Sequence, residues 1–433
     1  MAQFLSAGRS QKLSGHLLKL RWWALLPLLL GGCGERVATQ AAPQCYRLPA
    51  GTHLPDFGEG NERLFLSVLQ AAKEQADTLQ LFEVAPEGLQ KVQDLASGTD
   101  WFINWADHPG VAFYGADEYF FHWRRYSGAG TYDYDIHYGV GALAGPSALL
   151  RGKLHGDTVR AEHGFLSAAP LPDGDLQLAW LDGRFTKLGT GAAAGAGSAD
   201  KEQSEDHAHG GAMTLRARTL TDSGSVALDN RVCDCCNTAT AASRDLVMVA
   251  YRDRSEHEIR DIAYVTRPTT APGDWSTPKL VAADNWEIKG CPVNGPALGA
   301  NAAGQFAIAW YTGAEDNPRI QFARYEPAAG RFGLPTVLDA ANPLGRLDLR
   351  LEEDGTAYVT ALCTSQQADA AQLTLFTVSS SGEVRRQILA ETSAARGSGF
   401  PKLARLGEHL FWARTVLAPT KGEQYVEVCY QKQ

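Results

Sequence analysis

Short apolar runs bounded by Gly, Pro, Asn and Asp recur through this chain, at 119–123, 176–181, 246–251, 306–311, 356–362 and 409–412. Each is too short for a stable helix and rich in aromatic or β-branched residues, which predicts buried strands. A segment of alternating character follows each run, at 132–138, 213–219, 259–266, 319–325, 372–378 and 425–430, and predicts a neighbouring strand with one face to the core. Ahead of the runs stand Trp101-Phe102-Ile103-Asn104-Trp105, Glu162-His163-Gly164-Phe165-Leu166-Ser167, Cys235-Cys236-Asn237-Thr238, Cys291-Pro292-Val293-Asn294-Gly295-Pro296, Gly345-Arg346-Leu347-Asp348 and Ser398-Gly399-Phe400-Pro401. These openings mark six units spaced roughly 50 to 70 residues apart, and an earlier pair of runs at 63–69 and 79–84 makes a seventh. Repeated units of three or four strands close best into a ring, because radial closure leaves only short protected edges. The expected fold is therefore all-β, a β-propeller, with a pair of β-sandwiches as the alternative.

The first 33 residues follow a different pattern. Arg9, Lys12, Lys19 and Arg21 precede an apolar run over 22–30, then Gly31, Gly32 and Cys33. That order is the signature of a secretory signal peptide, and the run is about half the roughly 20 residues a membrane-spanning helix needs. Leu30-Gly31-Gly32-Cys33 resembles the bacterial lipobox, which implies acylation of Cys33 and anchoring to the inner or outer membrane; the alternative is an ordinary signal with an incidental cysteine. The expected organisation is a signal peptide over 1–32, a lipidated tether over 33–52 and one propeller domain over 53–433. The stretch 187–211, rich in Gly and Ala and then in Asp, Glu and His, reads as a flexible insertion within one unit.

Composition narrows the partners. A net charge of −9 with acids and bases interspersed argues against nucleic acid or an anionic membrane surface as the main partner. Ten tryptophans against three methionines fit a strand-rich core, and Trp101, Trp105, Trp123, Trp180 and Trp310 are candidates either for blade core or for stacking on sugar rings. Trp105 with Asp107 is the best candidate for an exposed aromatic and acid pair.

Eight cysteines carry the sharpest local signal. Cys233, Cys235 and Cys236 crowd together and Cys291 opens the next unit, so adjacent blades would bring four sulfurs together near the axis. They read either as a structural disulfide, Cys233 or Cys236 with Cys291, or as a thiolate site for copper or zinc, with His163, His207 or His209 as further ligands. His207 and His209 also read simply as a solvated polar loop. Cys45 and Cys429 lie at opposite ends of the domain, and ring closure predicts that they are bonded. Cys363, ending an apolar strand, is then the expected buried free thiol.

Several longer motifs resemble the sialidase superfamily, in a lipoprotein-like branch of exo-α-sialidase type. They are 100–107, Glu162-His163-Gly164-Phe165, Trp180-Leu181-Asp182-Gly183-Arg184, Arg231-Val232-Cys233-Asp234-Cys235-Cys236, Tyr251-Arg252-Asp253-Arg254 and Gly290-Cys291-Pro292-Val293-Asn294-Gly295-Pro296. The resemblance implies a six-bladed propeller that binds or hydrolyses a glycan or other anionic ligand in its funnel. Sialidase chemistry needs an arginine clamp on a carboxylate, a Tyr–Glu nucleophile pair and an acid–base Asp. Candidates are Asp107, Asp182, Arg184, Tyr251, Arg252, Asp253, Arg254, Arg346 and Arg414. The Phe/Tyr-Arg-Ile-Pro motif is missing, and Gly273-Asp274-Trp275 and Gly330-Arg331-Phe332 are at most degenerate Asp-boxes. Arg252 with its neighbours and Asp182 with Arg184 also read as ion pairs pinning blades. A metal-handling lipoprotein and a non-catalytic envelope scaffold remain as alternatives.

Overall fold

The computed structural model describes residues 42–71, 76–145, 150–187, 211–420 and 423–433. Cys33, the lipobox and most of the 187–211 insertion, including His207 and His209, lie outside the described residues.

Seven antiparallel sheets follow one another along the chain, each a meander of successive strands. Blade 1 is built from Thr52–Gly60, Arg63–Gln70, Asp77–Ala85 and Gly88–Gly98. Blade 2 comprises Gly110–Tyr114, Glu118–Tyr126, Tyr134–Ala142 and Leu150–Lys153. His163–Pro170, Leu176–Asp182, Thr214–Thr219 and Val226–Asp229 form blade 3. Ala239–Ala242, Leu246–Arg252, Ile262–Pro268 and Lys279–Leu280 form blade 4. In blade 5, Ala297–Ala300, Phe306–Thr312 and Arg319–Glu326 are edged by Arg331–Phe332 and Thr336–Asp339. Gly345–Leu351, Ala357–Thr364, Ala370–Val378 and Val384–Ser393 make blade 6.

Blade 7 joins the two ends of the chain. Lys402–Leu406, His409–Val416 and Tyr425–Lys432 are completed by Gln44–Arg47 as the outer strand. Cys45 lies opposite Cys429 in that pairing, and the two are disulfide-bonded, as ring closure predicts. The folded domain therefore begins by Gln44, inside the stretch expected to be tether, because a strand from before residue 53 is needed to close the ring. The first strands of successive blades touch around the whole circle, including blade 7 against blade 1. The ring has seven blades, the number of units in the sequence and one more than the resemblance implies.

Seven hydrophobic clusters occupy the seven junctions between blades. The second strands explain why the apolar runs are continuous. In Arg63–Gln70, Leu64, Leu66 and Val68 pack toward blade 7 while Phe65 and Leu69 pack toward blade 2. Both faces are buried, so between the strand ends both alternate sets of residues are apolar apart from the buried Ser67.

Side-chain bonds to backbone stitch the inner strands together. Asp56 accepts from Val111 N, Asp107 from Phe165 N at 2.8 Å, and Asp348 from Leu403 N at 2.7 Å. Thr238 donates to Phe165 O, Asn237 accepts from Gly295 N, Asn294 accepts from Arg346 N and Thr415 accepts from Leu54 N. Leu54, Phe165 and Arg346 hold positive φ at β-bulges in their inner strands. A left-handed conformation is costly for such side chains, and at each the amide is held by the neighbouring blade.

Candidate functional site

Each blade begins at its inner strand, so the starts of the seven inner strands gather at one mouth of the central cavity. The cavity encloses about 260 Å³ and is lined by Asp56, Asp107, His108, His122, Arg124 and Lys402 among others. Its charges are largely paired inside it. Arg124 contacts Asp107, both buried, and Lys402 Nζ lies 3.0 Å from Asp56.

At the mouth, Cys233, Cys235 and Cys236 bring their sulfurs within 4.8 Å of one another. Cys233 Sγ is 3.5 Å from Cys236 Sγ and 3.8 Å from Cys235 Sγ. Cys291 hydrogen-bonds with Cys235 from the next blade. The convergence follows from the backbone. Cys233 N donates to Arg252 O, fixing its segment beside the end of a blade 4 strand. Asn237, directly after Cys236, grips Gly295 N and Pro296 O, and so draws the segment carrying Cys291 inward. A Cβ on Gly295 would stand 1.9 Å from Asn237 O, so the motif requires glycine there for close approach.

None of the four is paired in the Cys45–Cys429 disulfide, and Cys363 is a buried free thiol. The disulfide expected between Cys233 or Cys236 and Cys291 is thus not formed; the segments hold the sulfurs in a cluster instead. Arg260 donates to Cys233 Sγ at 3.3 Å. Hydrogen bonds from Cys235 and Cys236, with the Arg260 charge, hold the Cys233 thiol well below its ordinary range. Cys235 is shifted upward by the same neighbours, Cys233 first. Cys233 and Cys236 are buried, Cys235 is half-buried and Cys291 is exposed, so the cluster opens to solvent on one side. Two sulfurs bound tetrahedrally at about 2.3 Å to one ion lie about 3.8 Å apart, close to the spacing seen here.

Glu162 stands nearby; the sequence places it at the head of a repeated opening motif but not among the candidate site residues. Tyr134 donates to its Oε1 at 2.7 Å, and burial, with Asp107, Asp234 and Cys291 around it, pushes its carboxyl up to about 8. Trp105 is half-buried, stacked on Phe400 with ring centroids 5.8 Å apart, and packs in the same cluster as Cys235 and Val293. The other four tryptophans singled out in the sequence are blade core.

The arginines and acids expected to form a ligand clamp are engaged elsewhere. Arg252 is buried and donates to the carbonyls of Asn294, Arg260 and Tyr311. Arg346 donates to Ala394 O, Ala395 O and Ser398, with its guanidinium over the Trp105 ring. Arg254 pairs with Asp234 and Glu258, Arg184 with Asp182 and Asp157, and Arg414 with Glu427. Tyr251 lies in the core between blades 3 and 4 and donates to Asp229, with no contact to the mouth acids among its hydrogen bonds. Asp107 is buried rather than exposed beside Trp105. Asp253 is half-buried, its carboxyl pushed up to about 6 by burial, with a smaller upward contribution from Asp229. Among the described residues, these groups do not converge into one clamp. A guanidinium beside strand ends finds backbone carbonyls as readily as a ligand, and the sequence does not distinguish the two.

His163 does not join the sulfurs. Its ring stacks on His155 at the junction of blades 2 and 3, facing Asp135, Asp157 and Asp182. The exposed large apolar side chains Leu280, Val337, Val384 and Ile388 belong to outer strands, away from the cavity.

No family model matches the chain, and no curated protein matches it in sequence. Among solved structures it is similar to an α-L-arabinofuranosidase from Fusarium graminearum, at 9% identity and a TM-score of 0.50, covering 91% of this chain and 98% of that one. It is also similar to an ulvan lyase, a polysaccharide lyase, at 11% identity and a TM-score of 0.50, covering 89% and 96%. At such identities the likeness concerns the fold: a propeller shared with carbohydrate-active enzymes.

Proposed function

We propose that the protein is a lipid-anchored propeller of the bacterial envelope whose funnel mouth binds a soft metal ion, copper(I) or zinc, through Cys233, Cys235, Cys236 and Cys291. The observation that carries this reading is the convergence of Cys233, Cys235 and Cys236, with sulfur separations close to those of ligands on one ion, and the hydrogen bond that Cys291 of the next blade makes to Cys235. Thiolates suit both metals, and the nearby guanidinium of Arg260 offsets the excess negative charge of several thiolates. The half-open geometry leaves an approach for a metal donor or acceptor at Cys235 and Cys291. Anchoring rests on the charged, apolar and small-residue pattern that ends at Cys33.

The test is metal content and thiol count on full-length protein purified anaerobically in detergent. The expected result is about one equivalent of copper or zinc, lost on Cys235→Ser or Cys291→Ser. Metal-free protein with Cys291 in a disulfide would refute the proposal.

One further observation favours a second reading. Trp105 on Phe400 gives an aromatic face at the mouth, which suits stacking on a sugar ring and accords with a glycan ligand. In that case added glycan quenches tryptophan fluorescence, and Trp105→Ala removes the response.

A further inference from the structure

A second cluster, at the junction of blades 2 and 3, takes no part in the thiolate site. Asp135 sits on the third strand of blade 2, and His155 and Asp157 lie in the segment that follows that blade. His163 opens the inner strand of blade 3 and Asp182 ends its second strand. His155 and His163 are 3% and 0% exposed, their rings stacked with centroids 3.7 Å apart.

The hydrogen bonds fix what each imidazole has left to offer. His155 Nδ1 is 2.7 Å from Asp157 Oδ2, and His163 Nδ1 is 3.1 Å from Ala161 O, so both Nδ1 atoms act as donors. A histidine held this way presents its Nε2 lone pair, the arrangement found in most metal-ligating histidines. Here both Nε2 atoms, and Asp135 Oδ1, are buried without any hydrogen-bond partner. They are nevertheless close to oxygens. His155 Nε2 is 3.3 Å from Asp135 Oδ1, and His163 Nε2 is 3.4 Å from Asp157 Oδ2. Charge-assisted hydrogen bonds run shorter, at about 2.7–2.9 Å. Two atoms bound tetrahedrally to one ion at about 2.0–2.1 Å lie about 3.3 Å apart.

Arg184 already donates into the Asp157 and Asp182 side of the cluster, at 3.0 and 2.7 Å, and supplies a cation there. The other side retains two of the unpartnered atoms: Asp135 Oδ1 lies 3.3 Å from His155 Nε2, with His163 Nδ1 3.5 Å away and Lys153 Nζ 3.6 Å from the second Asp135 oxygen, while His163 Nε2 faces Asp157 and Asp182. We infer that Asp135 and His155, with His163 beside them, form a second cation site, of nitrogen and oxygen donors, for a borderline divalent ion such as zinc. This site is chemically distinct from the sulfur cluster and does not depend on it.

Cobalt(II) separates the two sites, because a sulfur-bound ion shows a sulfur-to-metal charge-transfer band and a nitrogen- and oxygen-bound ion does not. Metal-stripped, reduced full-length protein in detergent would be titrated with cobalt(II) alone. The expected result includes a component with visible d–d bands and no charge transfer, amounting to about one equivalent. It persists when Cys233, Cys235, Cys236 and Cys291 are all Ser. His155→Ala and Asp135→Asn each weaken it by at least about tenfold while leaving any charge-transfer component in place. Should the four-serine variant fail to fold, the same single substitutions in the otherwise native chain decide the matter. No such component in folded protein, or one untouched by both substitutions, overturns the site and identifies the cluster as a proton-bridged ion network. Loss of the charge-transfer component alone counts against the thiolate site only.

Discussion

Cys45 lies directly opposite Cys429 in the outer pairing of blade 7, so one disulfide closes both the sheet and the ring across 384 residues of sequence. Opening it frees a very long loop in the unfolded chain. Cys45→Ser is expected to cost about 2–5 kcal/mol and to lower the thermal midpoint by several degrees. Differential scanning calorimetry with and without reductant checks this. An unchanged midpoint would mean that strand pairing alone holds the ring shut.

Gly295 sets how closely the two cysteine-bearing segments approach. Gly295→Ala places a Cβ against the Asn237 carbonyl, a backbone atom that cannot swing aside, and is expected to cost about 1–3 kcal/mol and to disturb metal uptake. Gly273→Ala, where a Cβ meets nothing within 4 Å, is the control and should change stability by less than about 0.5 kcal/mol. Equal effects of the two in urea unfolding would count against the packing argument.

Asp107 and Arg124 form a pair that is 1% exposed on each side. Asp107→Ala strands the guanidinium and is expected to cost about 3–5 kcal/mol, whereas Asp107→Ala with Arg124→Met should cost less than the single change. A double-mutant cycle in denaturant measures the coupling, and simple additivity of the two changes would show that the pair is not the source of the loss.

His108 gives the cavity an acid-sensitive group. Burial, with Lys402 beside it, lowers its imidazole to about 4, against an ordinary value of 6.5. Above pH 6.5 the ring is neutral whether the chain is folded or not, and stability is unaffected. As the pH falls from 6.5 toward 4 the unfolded chain takes up a proton that the folded chain refuses, so stability is lost across that window. His108→Gln should flatten this limb of a plot of thermal midpoint against pH; an unaltered slope would locate the acid sensitivity elsewhere, for instance at His122, whose imidazole burial also lowers.

The propeller was legible in the sequence because its second strands are buried on both faces. That burial demands continuous short apolar runs such as Leu176–Asp182 and Phe306–Thr312, and repetition of the runs implies a ring. Ring closure in turn pointed to Cys45 with Cys429, and the crowding of Cys233, Cys235 and Cys236 along the chain pointed to the sulfur cluster. Tertiary structure decided what those residue types do. Arg252 and Arg346 match a ligand clamp by type, yet their donors are taken up by carbonyls and a hydroxyl brought near by folding, and no local spacing encodes that choice. His155 and Asp135 lie apart from each other and from Asp182 in sequence, and only the packing of blade 2 on blade 3 stacks one imidazole on another and buries three polar atoms without partners. Strand periodicity is a property of neighbouring residues, whereas a site is a property of distant ones, which only the closed ring brings together.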